Sequence, residues 1–156
     1  MAPGSVYPRS VAQPFRAANP IACHRQEIRI VLNPKASGRV GPQVTIDVPT
    51  RQQDVGQPFA IAGWAVDLDQ DFGSGIDAVH VWAYPLAGGG PVFLGAATYG
   101  GARPDVAALH GDRFKASGYG LTVEGLTPGN YDLAVFAWST ATGGFAPAKT
   151  VRITVR

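Results

Sequence analysis

One stretch, residues 125–138, constrains the fold more than any other part of the chain. A Pro-Gly-Asn turn at 128–130 precedes a run in which apolar side chains alternate from Tyr131 to Ala137. Successive side chains of an extended strand point to opposite faces, so this alternation behind a turn predicts a β-strand with one buried face. The predicted inward set is Tyr131, Leu133, Val135 and Ala137.

The residues around the start of this strand look like the tyrosine corner of β-sandwiches. In that motif a tyrosine near the start of strand F bonds its hydroxyl back to the preceding connection. Leu126, Pro128 and Tyr131 stand at the matching positions here. The motif predicts a sandwich in which this run is strand F. It is a structural signature and indicates no activity.

Other strand-like segments recur at intervals of about 8–15 residues, with turn signals between them. The predicted strands are 44–48, 59–65, 76–84, 92–94, 114–123 and 149–156, together with strand F. Val44, Ile46 and Val48 are predicted to face inward on the first of them. One short helical turn is predicted at 103–111, where a proline comes early and a glycine comes last. The predicted fold class is therefore an all-β, Ig-like antiparallel β-sandwich of about seven strands.

Composition agrees with many short strands and turns. The 20 glycines and 13 prolines are about a fifth of the 156 residues, which suits turns and argues against long helices. The single cysteine, Cys23, excludes an internal disulfide framework. No apolar run approaches the roughly 20 residues that span a membrane. We therefore expect packing alone to hold the fold, and no membrane span.

The first 42 residues differ from the rest. They carry six Lys or Arg residues against one Glu, whereas residues 43–156 carry seven against ten Asp or Glu. Prolines recur among residues 1–26 without an apolar period, which predicts an irregular tail, with one short strand as an option at 27–32. Such a tail can bind anionic polymers or serve as a solvated linker. No apolar segment of about 7–15 residues marks a secretory signal.

Several segments together resemble a bacterial immunoglobulin-like or fibronectin-III-like domain. They are 59–67, 73–77, 79–81 and the strand that ends at Ala137. The resemblance covers residues 43–156. It implies an extracellular or cell-surface location, and a role as a spacer, an adhesive unit or an appendage to an enzyme. The cysteine pair of antibody-type domains is absent, so no immune-receptor function carries over.

The main candidate site is a set of aromatic side chains. If the strand at 76–84 pairs with strand F, five of them share the outer face of one sheet. Monomers seldom expose a large contiguous apolar patch, so we expect a cover. A protein partner, a neighbouring domain, a stacked polysaccharide or the chain itself could supply it, and a one-residue slip in register would swap the faces. The candidate residues are His80, Trp82, Tyr84, Phe136 and Trp138.

A second candidate is a calcium loop at Asp67, Asp69 and Asp71. Alternate carboxylates on a tight loop can converge on a hard cation with oxygen ligands. The loop has Phe72 where an EF-hand-type loop needs glycine, and Ala78 where it needs glutamate. The alternative is an acidic, solvated loop between two strands.

The search for catalytic motifs is negative. The chain has no Gly-x-Ser-x-Gly elbow, His-Glu-x-x-His motif, phosphate loop or dinucleotide fingerprint, and its three histidines lie far apart. The basic residues are not interleaved with aromatic ones, so no nucleic-acid partner is predicted. We therefore predict a non-catalytic Ig-like module that acts as a spacer or as a protein-interaction or adhesion domain. The alternative is a carbohydrate-binding module that uses the aromatic face, either on its own or as an appendage of a secreted enzyme.

Overall fold

The structure is a computed structural model, and it describes residues 40–156. These residues form ten strands and one α-helix, which a short 3₁₀ turn follows. Nearly all of the predicted tail, including the optional strand at 27–32, lies outside the described residues. In chain order the elements are β1 (Pro42–Val48), β2 (Gln53–Val55), β3 (Phe59–Asp67), β4 (Ile76–Pro85), β5 (Val92–Ala96), β6 (Thr98–Gly101), α1 (Pro104–His110), the 3₁₀ turn (Asp112–Phe114), β7 (Gly118–Val123), β8 (Gly129–Ser139), β9 (Gly144–Phe145) and β10 (Lys149–Val155).

The strands form two sheets. The first has the order β1-β3-β7-β6, and the second has the order β2-β10-β8-β4-β5, with β9 paired to β8. Neighbouring strands are antiparallel except for β2, which runs parallel to β10. The chain crosses between the sheets five times, after β1, β2, β3, β5 and β7. This arrangement is an Ig-like β-sandwich, and it confirms the predicted fold class.

The core lies between the inner faces of the two sheets. On β8 the alternation of the sequence becomes an alternation of burial, with Leu133, Val135 and Ala137 fully enclosed. The neighbouring strand β4 buries every second residue in the same way from Val79 to Ala83. Full burial of an aliphatic side chain contributes about 1.5–3 kcal/mol, so packing can hold the fold without a disulfide. The completely buried core side chains of the two sheets include Ile61, Ala65, Val81, Ala83, Leu133, Val135, Ala137 and Ile153.

A set of hydrogen bonds closes the turn before β8. The Tyr131 hydroxyl donates to the Thr127 carbonyl oxygen at 2.8 Å, across the turn that contains Pro128. Leu126, just upstream, is buried and is held by the side chain of Gln57. The Gln57 amide nitrogen donates to the Leu126 carbonyl at 2.6 Å, and the Leu126 amide donates to the Gln57 side-chain oxygen at 2.8 Å. These bonds give the tyrosine corner its geometry and join it to the segment before β3.

Some elements differ from the sequence-based prediction. Three short strands, β2, β6 and β9, were not predicted, because two to four residues are too few to show a period. The predicted strand at 114–123 begins only at Gly118, since Phe114 belongs to the 3₁₀ turn. Val48 was predicted to face inward but is 43% exposed. The β1–β3 register shifts between Ile46 and Val48, which breaks the alternation there.

One end of the outer face of the first sheet, around Trp64 and Val66, is covered by the segment between β6 and β7. Val66 on β3 packs with Val106 of α1 and Phe114 of the 3₁₀ turn, and all three are buried. Trp64 packs at the edge of this cluster, with its ring centroid 5.8 Å from that of His110. The chain thus supplies its own cover for this part of the face.

Candidate functional site

The pairing of β4 with β8 determines which side chains share the outer face of the second sheet. His80 lies opposite Phe136, and Trp138 lies opposite Ala78. Residues directly opposite each other on antiparallel strands point to the same side. The structure therefore places the five candidate residues on one face: His80, Trp82, Tyr84, Phe136 and Trp138.

Two phenylalanines that the sequence analysis did not include join this face. Phe93 comes from β5, where it lies opposite Trp82, and Phe145 comes from the two-residue strand β9, where it lies opposite Trp138. His80 packs between them, with its ring centroid 5.4 Å from that of Phe93 and 4.7 Å from that of Phe145. No local period marks either phenylalanine, because β9 is too short and β5 contains a register shift.

The rings pack against one another at steep angles. The Trp82 and Phe93 centroids are 4.9 Å apart at 50°, and the Trp138 and Phe145 centroids are 5.0 Å apart at 83°. Tilted and edge-to-face contacts are the favoured geometries of aromatic pairs. The two phenylalanines thus shield part of each tryptophan. They do not complete the cover, since Tyr84, Phe93 and Phe145 are 41%, 47% and 43% exposed.

Between the exposed rings lies an open depression of about 400 Å³, which we call the aromatic socket. Its volume lies in the range of roughly 300–1,000 Å³ that is typical of ligand pockets. Its lining contains no Asp, Glu, Lys or Arg side chain, so it suits an apolar group. The socket is lined by His80, Trp82, Tyr84, Pro91, Phe136 and Phe145.

A polar groove of about 410 Å³ lies on the same sheet, lined in part by Arg51, Asp132 and Arg152. The Arg152 guanidinium donates two hydrogen bonds of 2.8 Å to the Asp132 carboxylate. This bidentate contact lowers the pKa of the Asp132 carboxyl and raises the pKa of the Arg152 guanidinium. Because Asp132 lies opposite Tyr84, the groove adjoins the aromatic socket.

In the predicted calcium loop, the carboxylates of Asp67 and Asp69 accept hydrogen bonds from other groups of the protein. Asp67 is fully buried, where its carboxylate accepts a 2.5 Å hydrogen bond from the Ser139 hydroxyl and a 3.0 Å bond from the Asp69 amide. The Asp69 carboxylate turns towards the amides of residues 40 and 41, while Asp71 is exposed. Among residues 40–156 no group of three or more His, Cys, Asp or Glu side chains could hold a metal ion. The structure therefore does not bring the three carboxylates together.

The remaining candidate groups are dispersed. His110 packs between Trp64 and Phe114, far in the fold from His80, and His24 lies outside the described residues. Within the part of the chain that the structure describes, Ser117 Oγ is the one buried side-chain polar atom without a hydrogen-bond partner. No helix in residues 40–156 has the length and apolarity to cross a membrane.

The comparisons with known proteins concern the fold. No family model matches the chain, and no curated protein matches it. CopC from Methylosinus trichosporium OB3b is similar at 13% identity with a TM-score of 0.42, over 72% of this chain and 93% of that chain. The fibronectin(III)-like modules of Clostridium thermocellum CbhA are similar at 17% identity with a TM-score of 0.37, over 73% of this chain and 46% of that chain.

Proposed function

We propose that residues 40–156 are a non-catalytic, Ig-like interaction module that binds a protein partner through the aromatic socket. The observation that carries this proposal is the exposure of the outer face of the second sheet. Seven aromatic side chains, counting His80, gather there, and three of them are more than 40% exposed. Exposed apolar patches of this kind mark binding surfaces, and aromatic residues are enriched in protein interfaces.

The geometry of the rings favours a protein over a sugar. A sugar stacks flat on an exposed aromatic face, whereas the ring pairs on this face meet at 44–83°. Edge-to-face packing leaves ring edges and a concave gap at the surface. A gap lined by aromatic side chains suits one apolar anchor side chain, which is the usual form of an interface hot spot.

One observation favours polysaccharide binding as a second candidate. The polar groove lies beside the aromatic socket, because Asp132, which lines the groove, is paired with Tyr84, which lines the socket. The groove offers the charged and amide groups of Arg152, Asp132 and Gln52 as hydrogen-bond partners for hydroxyl groups. A bound saccharide would combine ring contacts in the socket with hydrogen bonds in the groove.

The cellular setting of the proposal comes from the resemblance to bacterial Ig-like and fibronectin-III-like domains. Such modules are joined in tandem in secreted and surface proteins. We infer that this module contributes a binding or adhesive unit to an extracellular protein. The aromatic socket is then the contact point for a neighbouring domain or a separate protein.

A peptide selection on the full chain tests the proposal. We expect the selected peptides to carry an aromatic or aliphatic anchor and to lose affinity at least tenfold when Tyr84→Asp places a charge in the socket. Tyr84 is 41% exposed, so this variant is expected to fold. Leu109→Ala is the matched control, because Leu109 is an exposed apolar residue of α1 on the first sheet's side.

The second candidate is tested with the same variants on insoluble polysaccharides. Retention that Tyr84→Asp abolishes and Leu109→Ala preserves would replace the protein partner with a polysaccharide. Peptide binding that is equal in the native chain and in Tyr84→Asp would contradict the role of the socket.

A further inference from the structure

Phe72 is the most exposed large hydrophobic residue among residues 40–156, at 87%. It lies at the tip of the loop between β3 and β4, beside Asp71 and Gly73. With this exposure it does not sit in the aromatic socket of its own chain. An aromatic side chain held in water at a loop tip is available as an anchor for another molecule.

The loop that carries Phe72 is held in place by bonds to both sides of the sandwich. The Arg113 guanidinium donates to the carbonyls of Leu68 and Gln70, from the side of the 3₁₀ turn. The Gln70 side chain donates to the Thr140 hydroxyl at 3.0 Å, just after β8. Near the end of the loop, Gly75 leaves no room for a Cβ atom, which would lie 2.7 Å from that of Asp67. Phe72 is thus presented from a preorganised loop, which lowers the entropic cost of docking it.

The aromatic socket and this loop are complementary in polarity and charge. Four of the six residues that line the socket lie in a stretch, residues 78–102, that contains no Asp, Glu, Lys or Arg, and the other two are phenylalanines. A partner would therefore be selected there by an apolar anchor and not by a charge. The groove beside the socket has one positive charge in excess, because Asp132 balances only one of Arg51 and Arg152. The loop around Phe72 carries Asp69 and Asp71, against the one guanidinium of Arg113 that is bonded to its carbonyls, so a negative charge remains in excess there.

We propose that the aromatic socket binds Phe72 of a second copy of this chain, with the acidic loop lying towards Arg51 and Arg152. This inference rests on the proposed function and names its partner. Each copy has one such loop and one socket. Two copies can exchange loops in a closed pair, or successive copies can join head to tail, and both arrangements use the same contact.

Sedimentation velocity of the full chain over a range of concentrations tests the inference. We expect the native chain to self-associate, and Phe72→Ala to weaken the association at least tenfold. Phe72→Leu keeps an apolar anchor and is expected to retain part of the affinity. Tyr84→Asp is expected to weaken association as strongly as Phe72→Ala, because it brings a negative charge against the acidic loop. Leu109→Ala, which changes another exposed apolar residue, is expected to leave association unchanged.

A mixture of two defective variants gives the sharpest result. The Phe72→Ala chain keeps an intact socket, and the Tyr84→Asp chain keeps an intact loop. We therefore expect an equimolar mixture to associate where neither variant does alone. A mixture that stays monomeric would overturn the pairing of Phe72 with the socket.

Other outcomes separate this inference from the proposed function. A native chain that stays monomeric, or that associates equally well as Phe72→Ala, overturns the inference. If peptides still bind the socket and Tyr84→Asp abolishes their binding, the proposed function stands with another partner. If the chain is monomeric and acrylamide does not quench Trp82 with the other two tryptophans replaced by phenylalanine, the chain fills the socket itself, and both proposals fail.

Discussion

The outer faces of the two sheets both carry tryptophans on their strands, but they differ in how far the rest of the chain covers them. Trp64 on the first sheet and Trp82 on the second both occupy outward positions in strands. Over the first sheet, α1 and the 3₁₀ turn bury Val66, Val106 and Phe114 to 3% exposure or less. Over the second sheet, the side chains of Phe93 and Phe145 lie on the tryptophans, and they remain nearly half exposed.

The difference lies in the connections. The segment between β6 and β7 contains a helix whose buried side chain can pack down on the sheet, whereas the β4–β5 connection is a short hairpin rich in glycine. Within the described residues, the chain therefore covers apolar side chains on the outer face of the first sheet and leaves those on the outer face of the second sheet open. The exposed aromatic side chains of this open face are the basis of the proposed binding function.

The largest expected effect is on the covered face. Phe114→Ala removes a side chain that is 1% exposed and leaves a cavity under α1, so we expect a loss of about 3–5 kcal/mol in the free energy of unfolding. Phe145→Ala on the open face removes a side chain that is 43% exposed, and about 1 kcal/mol is expected. Urea denaturation of both variants measures the difference. Equal losses would contradict the division into a covered and an open face.

A smaller effect is expected where the two sheets are joined. Ser139→Ala removes the hydroxyl that donates to the buried Asp67 carboxylate and accepts from the amides of residues 141 and 142. Because the carboxylate loses a partner in a buried site, about 2–3 kcal/mol of stability should be lost. The matched control is Ser117→Ala, which removes another fully buried serine hydroxyl. A loss below about 0.5 kcal/mol in Ser139→Ala would show that water replaces the hydroxyl.

Ser117→Ala is expected to have almost no effect or a slight stabilising effect. Ser117 is fully buried and its hydroxyl has no partner within residues 40–156, so the substitution removes an unsatisfied polar atom and no bond. The change in unfolding free energy should lie within about 0.5 kcal/mol of zero or favour the variant. A clear loss would show that an ordered water bonds this hydroxyl.

A small dependence of stability on acidic pH is also expected. Arg103 bonds to Asp105 at the start of α1, and this contact lowers the pKa of the Asp105 carboxyl to about 2. A carboxyl whose pKa is lower in the folded chain contributes stability above its unfolded pKa, near 4, and loses that contribution as the pH falls towards 2. Asp132, bonded to Arg152, has its pKa lowered in the same direction.

The Asp105 carboxyl is exposed and the Asp132 carboxyl is partly exposed, so solvent screens both pairs and the slope should be small. Asp105→Asn removes the ion pair at α1, on the covered face, and is expected to reduce the dependence of stability on pH. Asp132→Asn removes the ion pair beside the open face and is expected to reduce it as well. Thermal unfolding between pH 5 and pH 2 measures the slopes, with Glu124→Gln as a control for the removal of one exposed carboxylate. A profile unchanged in both Asn variants would show that neither ion pair contributes.

Much of the fold could be predicted, because the longer strands show a regular alternation of apolar and polar residues in the sequence. The alternation from Tyr131 to Ala137 marked β8, and a similar pattern marked β4, since one buried face imposes a period of two on a strand. The short strands β2 and β9 escaped prediction, because they exist only through pairing with β10 and β8. Phe114 looked like the start of a strand, and the packing of its ring under α1 made it part of a turn instead.

Some features of the candidate site could also be predicted from the sequence, and others could not. The sequence by itself determined the sandwich and the outward side of Trp82, Tyr84 and Trp138, because strand geometry alternates side chains whatever the neighbours are. Only the tertiary structure decided that Phe93 and Phe145 pack onto these rings and that the aromatic socket lies between them. It also decided that Phe72 is exposed on a loop that hydrogen bonds hold in place. It also turned Asp67 inward to Ser139 and away from a shared cation site. These features depend on contacts between residues distant in the chain, and no local pattern records such contacts.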